Sequence, residues 1–154
     1  MLRECIDSLN IKPGGTYVDA TLGMGGHSYE IASRLTTGRL ISIDRDPAAL
    51  ERAVDRLEPF MDRITLVHGN FRDMDAILDD LAIDKVDGML FDLGVSSPQL
   101  DEADRGFSYM QDAPLDMRMD RGDAVTAAEI VNTWPYADLK RILYDFGEER
   151  YAPR

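Results

Sequence analysis

The stretch Val18–Ser28, "VDATLGMGGHS", decides the fold. A β-branched, apolar run ends at Asp19, a glycine-rich turn follows, and the chain then becomes helical. A strand that passes through glycines into a helix is the first turn of a doubly wound α/β sheet, where ligands bind beyond the carboxyl ends of the strands. Gly23, Gly25 and Gly26 read G-x-G-G, not the G-x-G-x-x-G of a dinucleotide site. They let the backbone approach a ligand closely. The helix start at His27-Ser28 offers free N–H groups and a positive dipole end, suited to a carboxylate or phosphate. A plain tight turn needs one glycine, so three glycines plus Asp19 weigh toward a ligand.

On either side of this turn, strand-like and helical segments alternate. Before the turn, Glu4 to Leu9 reads as the end of a helix, and Pro13-Gly14-Gly15 introduces the first strand. After it, "SYEIASRL" has helical spacing with Gly38 as its stop. "RLISID" is a second strand. "DPAALERAVDRLEPF" is a helix with Asp46 at N-cap and Pro47 at N1. "RITLVHGN" is a third strand and "RDMDAILDDLA" a third helix of this alternating run. "VDGMLFDLGV" is a fourth strand, apolar enough to predict burial on both faces. This order with short loops gives a parallel sheet with helices on both sides, strand order 3-2-1-4, and a ligand crevice between strands one and four.

Three residues mark that crevice. Asp44 ends strand two about twenty residues past the glycines, where an acid holds ribose hydroxyls. Asp46 already serves as the cap, which leaves Asp44 free for a ligand. Phe71, after strand three, reads equally as core or as a partner for an adenine ring. His68 reads as structural. Asp92 sits at the end of strand four, across from Gly25, where a carboxylate accepts hydrogen bonds from an amine or ammonium.

The texture changes after Gly94. Ser96 to Asp123 lacks apolar periodicity and reads as a long ordered loop. Within it "PLDMRMD" alternates charge and methionine, which predicts a structural lid packed by its own methionines. Thr126 and Glu129 form a capping box that opens a short helix, and "PYADLKRILYDF" is a second one stopped by Gly147. Residues 1–123 thus read as an incomplete α/β domain and 124–154 as a partial helical one. An incomplete sheet with an uncovered edge strand invites pairing, including self-association. Together with a last helix just begun at "EERYAPR", it leads to the expectation of a fragment.

Composition bounds the function. The 154 residues carry a formal net charge of −12, which argues against a protein that coats nucleic acid by charge alone. No apolar run approaches the roughly 18 residues of a membrane span. Cys5 is the single cysteine, so no intrachain disulfide forms and a reducing compartment is expected. Two histidines and one cysteine make no structural zinc site, and no metal is expected.

Taken together, "GGHS", "IDRDP", "DLGVSSPQLD", "RGFS", "PLDMRMD" and "GEER" resemble one family along the whole chain: the bacterial S-adenosylmethionine-dependent methyltransferases of small-subunit (16S) ribosomal RNA that modify N4 of a cytidine. The resemblance implies a Rossmann-like class I methyltransferase sheet with later strands missing, followed by the start of a helical inserted domain that helps grip the RNA. It implies S-adenosyl-L-methionine as cofactor, held by Gly25, Gly26, His27, Asp44, Phe71, Asp92 and Gln99. It implies a cytoplasmic enzyme of rRNA processing, acting on the RNA or the assembled small subunit. Asp92 is also the carboxylate best placed to act on the N4 amine. Two other readings stand beside this one. A different nucleoside cofactor such as NAD is opposed by the G-x-G-G turn and the "DLGVSSPQLD" loop. A non-catalytic fragment that binds cofactor or a partner is favoured by the absent strands.

Overall fold

A computed structural model describes residues 2–153. The chain forms two compact units, Met1–Ser96 and Ser97–Arg154. The first holds α1 (Leu2–Ser8), β1 (Thr16–Asp19), α2 (Gly26–Arg34), β2 (Arg39–Asp44), α3 (Pro47–Leu57), β3 (Ile64–His68), α4 (Met74–Asp80) and β4 (Gly88–Leu90). The four strands pair in parallel in the order β3-β2-β1-β4. The α/β architecture and the 3-2-1-4 order expected from the alternation are therefore present.

Side-chain alternation along the strands feeds two cores. Tyr17, Leu40 and Ile64 join Ile6, Ile31 and Leu57 of α1, α2 and α3, and Leu35 just past α2. Val18, Ile41 and Ile43 join Met74 of α4 and Ile83. Asp46 caps α3 by accepting from the Ala48 amide at 3.1 Å, with Pro47 at N1 as expected.

Two expectations fail here. β4 was expected to be buried on both faces. Leu90 is buried, but Met89 and Phe91 are exposed by 39% and 47%. β4 pairs with β1 alone among the described residues, and a cavity of about 330 Å³ lined by Cys5, Ser8, Leu9, Met89, Leu90 and Phe91 opens beside it. An apolar run is equally the mark of an edge strand whose outer side is uncovered. Gly38 was expected to stop α2. The stop is instead Leu35, in extended conformation. Gly38 is needed for close approach, because a Cβ there would lie 2.2 Å from the Gly15 carbonyl oxygen.

The second unit holds α5 (Ser97–Asp101), a 3-10 turn at Ala103–Arg105, α6 (Ala127–Thr133) and α7 (Tyr136–Asp145). In its "PLDMRMD" stretch the methionines do not form a buried cluster: Met117 is 45% exposed and Met119 is only partly buried. Buried Arg105 instead donates to the Arg118 and Met119 carbonyls at 3.2 and 2.7 Å. Arg118 grips Asp116 with two bonds of 2.9 and 2.8 Å and donates to the Arg121 and Asp123 carbonyls. A guanidinium with five donors organises carbonyls that a thioether cannot. The amides of Ala127 and Ala128 donate to the carbonyls of Asp116 and Leu115, and Thr126 Oγ1 accepts from Glu129. These bonds satisfy three N–H groups at the start of α6.

Candidate functional site

The carboxyl ends of β1, β2 and β4 converge around the glycine turn. Asp19 closes β1 and is fully buried. Its carboxylate accepts from the Thr21 amide at 3.1 Å and the Ser28 hydroxyl at 2.7 Å, and Ser28 is 2.8 Å from the Ser42 hydroxyl of β2. Burial pushes the Asp19 carboxyl above its usual range, against the pull of the Ser28 and Thr21 hydrogen bonds. This buried polar set ties β1, the first turn of α2 and β2 together.

The turn itself needs two glycines. Gly23 and Gly25 have φ of 52° and 73°, where a side chain is strained, and a Cβ on Gly25 would meet Ala53 at 3.3 Å. Gly26 has no such constraint, since a Cβ there would find only an ordinary 3.7 Å contact with Arg56. From α3, Arg56 donates to the Met24 carbonyl at 2.9 Å and steadies the turn. Gly25 is the N-cap of α2 and gives no side-chain cap. The first amides of the helix, on Gly26 and His27, have no intrahelical acceptor and suit an anion.

Asp44 stands where the sequence placed it, at the end of β2, but it is not free as expected. One oxygen accepts from the Gly23 amide at 2.8 Å and the other from the Asp46 amide at 2.9 Å. The Gly23 amide reaches it because β1 and β2 are neighbours, and the Asp46 amide because it lies two residues on in the same turn. Each carboxylate oxygen retains a second acceptor position, so the braced group can still receive hydroxyls.

Phe71 is not core. It is 39% exposed and meets Phe91 edge to face, with centroids 5.7 Å apart. The contact joins the chain just past β3 to the chain just past β4, at the two edges of the sheet. Asn70 caps the 3-10 turn of Phe71–Asp73 by accepting from the Arg72 amide. His68 Nε2 lies 3.1 Å from the Arg45 carbonyl, a structural contact as expected.

Asp92 Oδ2 lies 3.8 Å from His27 Nδ1, across the mouth between β1 and β4. The Asp92 side chain is 63% exposed, whereas that of His27 is 18% exposed with a buried Nε2 that has no hydrogen-bond partner. The Asp92 amide donates to Thr21 Oγ1 at 2.8 Å. Gln99 is buried in α5 of the second unit. The structure thus brings together Gly25, Gly26, His27, Asp44, Phe71 and Asp92 within the first unit.

Sequence reasoning passed over Thr21, Ser42, Phe91 and the hydroxyl of Ser28. Ser42 carried a signal, as a polar residue within an apolar run that must find a partner when buried. Phe91 was visible next to Asp92 but was absorbed into the strand.

A nucleoside that also carries a carboxylate and an ammonium group fits this set. Asp44 supplies acceptors, the start of α2 supplies donors, Asp92 supplies an exposed anion, and two half-exposed rings offer apolar faces. The orphaned His27 Nε2 is a polar atom for a ligand to satisfy. No group of three or more metal-ligating side chains occurs among the described residues.

Comparisons with known proteins bear on the family and the fold. The model of the MraW methylase family matches residues 1–154. The ribosomal RNA small subunit methyltransferase H of Paenibacillus sp. (strain JDR-2) is 58% identical over 159 residues, covering 99% of this chain and 50% of that protein. The methyltransferase of the same name from Lachnospira eligens is 56% identical over 153 residues, covering 99% and 49%. The chain spans about half the length of the curated relatives it matches. A crystal structure of a proposed rRNA methylase from Clostridium thermocellum superposes with a TM-score of 0.56 at 30% identity, covering 62% of this chain and 52% of that one. A Rossmann-like sheet with its glycine turn and a sequence match along the whole chain lead to one statement: the chain belongs to the MraW methylase family.

Proposed function

We propose that the chain is the cofactor-binding half of an S-adenosylmethionine-dependent methyltransferase that modifies N4 of a cytidine in 16S ribosomal RNA, working in the cytoplasm on the RNA or the assembled small subunit. The observation that carries it is the pairing of the braced Asp44 carboxylate with the Gly25–His27–Asp92 corner across the β1–β4 crevice. Asp44 accepts from the ribose hydroxyls. The amides at the start of α2 face the amino-acid carboxylate, and Asp92 faces the ammonium. Phe71 packs against the adenine ring. Gln99 completes the cofactor set in this reading, as the family resemblance implies. Bound there, the cofactor supplies an electrophilic methyl group on a sulfonium.

The lone pair on cytosine N4 is delocalised into the ring, so the chain must orient the amine in line with the methyl group. A carboxylate that accepts a hydrogen bond from the N4 hydrogens raises its nucleophilicity as attack develops. Asp92 is exposed enough to do so. The target base has to be turned out of its stack or presented unpaired. In this reading residues 124–154 begin an inserted helical domain, and the RNA-binding charge that a chain of −12 lacks is carried by the further half of the longer relatives.

A second reading has its own observation. The four-stranded sheet ends in β4, which pairs with β1 alone among the described residues; in this reading the 154-residue chain by itself is a non-catalytic piece that binds cofactor or a partner, a second copy at the β4 edge included. Transfer of labelled methyl groups to small-subunit particles separates the two. A version as long as the relatives transfers methyl to N4 of a cytidine. Transfer by the 154-residue chain overturns the second reading, and failure of the long version overturns the first.

A further inference from the structure

Thr21 lies two residues past β1 and stands at a junction. The last backbone bond between β1 and β4 runs from the Ala20 amide to the Leu90 carbonyl at 2.9 Å. One step further along, the bond is made by a side chain: Thr21 Oγ1 accepts from the Asp92 amide at 2.8 Å. The Thr21 amide donates in turn to the fully buried Asp19 carboxylate at 3.1 Å. That carboxylate also receives the Ser28 hydroxyl, one residue beyond His27 in the first turn of α2. Asp19 and Thr21 therefore hold both partners of the His27–Asp92 contact, one through α2 and the other through the end of β4.

We infer that Thr21 is a positioning residue: its hydroxyl extends the β1–β4 pairing by one side-chain rung and so fixes the Asp92 carboxylate opposite His27. The β4 ladder is only three residues long, and Asp92 lies beyond it. Without the rung, the backbone at Asp92 has no other tie to β1 past Leu90 among the described hydrogen bonds. An exposed carboxylate on an untethered segment is spread over many positions, and a ligand must then order it at an entropic cost. The inference rests on the proposed cofactor reading for the ligand that Asp92 meets, but not for the contact itself.

Thr21→Val keeps the branched shape and removes the acceptor, whereas Thr21→Ser keeps the hydroxyl. Both are made in the 154-residue chain, alone and with Asp92→Ala. Two quantities are read: hydrogen exchange of the Asp92 amide without ligand, and calorimetric affinity for S-adenosylmethionine. Thr21→Val is expected to speed Asp92 amide exchange and lower affinity about tenfold, the ordinary worth of one hydrogen bond. Thr21→Ser restores both to within about twofold. In the Asp92→Ala background, Thr21→Val costs nothing further, because it acts through Asp92. A merely structural threonine lowers the melting temperature while affinity stays put, or loses affinity equally in both backgrounds; either result overturns the inference. Unchanged Asp92 exchange in Thr21→Val overturns it as well. A wild-type chain that takes up no S-adenosylmethionine overturns the cofactor reading, and the exchange measurement still judges the contact.

Discussion

The two units hold their aspartates by opposite means. In the first, Asp19 is fully buried among two hydroxyls and an amide, and burial pushes its carboxyl up. In the second, Asp116 is gripped by the Arg118 guanidinium, whose hydrogen bonds take it down to about 2. All the buried apolar side chains lie in the first unit, while the buried residues described in the second are Gln99 and Arg105. The first unit is therefore held by packing on both faces of a sheet, with a polar set inserted where the crevice needs rigidity. The second is held by caps and a guanidinium clasp around carbonyls. A unit with a core can carry a precise turn, whereas a unit without one depends on polar contacts that water can replace.

Breaking that contrast starts in the sheet. Ile43→Ala removes a fully buried side chain of β2 and is expected to cost about 2–5 kcal/mol in denaturant unfolding of the first unit. Leu143→Ala in α7, where the side chain is half exposed, is expected to stay within about 0.5 kcal/mol. Comparable losses at the two sites would show that the second unit has a core of equal worth. Between these extremes, Thr126→Ala removes the α6 cap and is expected to cost about 1 kcal/mol, read as faster amide exchange at Glu129 and along α6.

The pH dependence sharpens the comparison, and the signs run oppositely. Asp19 binds its proton more tightly folded than unfolded, so its share of stability is present below the ordinary value of 3.8 and falls as pH rises through its raised folded value. Asp19→Asn keeps an acceptor for Thr21 and a polar partner for Ser28, so it should flatten that fall in urea midpoints taken from about pH 4 to about pH 7. Asp116 is lowered, so its contribution is full above 3.8 and lost as pH drops toward about 2. An unchanged pH slope in Asp19→Asn would mean that this carboxyl is solvated rather than buried.

Much of the first unit was legible because its signals are local. Asp46 before Pro47 announces a capped helix, Gly23 and Gly25 announce a turn with positive φ, and alternating apolar runs give the strands. The errors came where distant backbone decides. The Gly23 amide that occupies one Asp44 oxygen comes from a turn that only the sheet brings near, while the Asp46 amide on the other oxygen is local. Gly38 is required by the Gly15 carbonyl more than twenty residues earlier, and the exposure of β4 follows from what does not cover it. In the second unit, methionines at alternate positions suggested apolar packing, yet the ordering donor was Arg105, whose partners are carbonyls that no side-chain pattern reveals. Asp92 was legible by position; the threonine that holds it was not, because a side-chain hydroxyl replacing a ladder rung leaves no periodic trace.

The most direct test of the central claim is a calorimetric titration of the 154-residue chain with S-adenosylmethionine and with NAD, repeated for Asp44→Ala. S-adenosylmethionine is expected to bind and NAD is not. Asp44→Ala, with its melting transition retained, is expected to lose about tenfold or more in affinity as the ribose acceptor disappears. Unchanged affinity in a folded Asp44→Ala, or binding of NAD in preference, would contradict that claim.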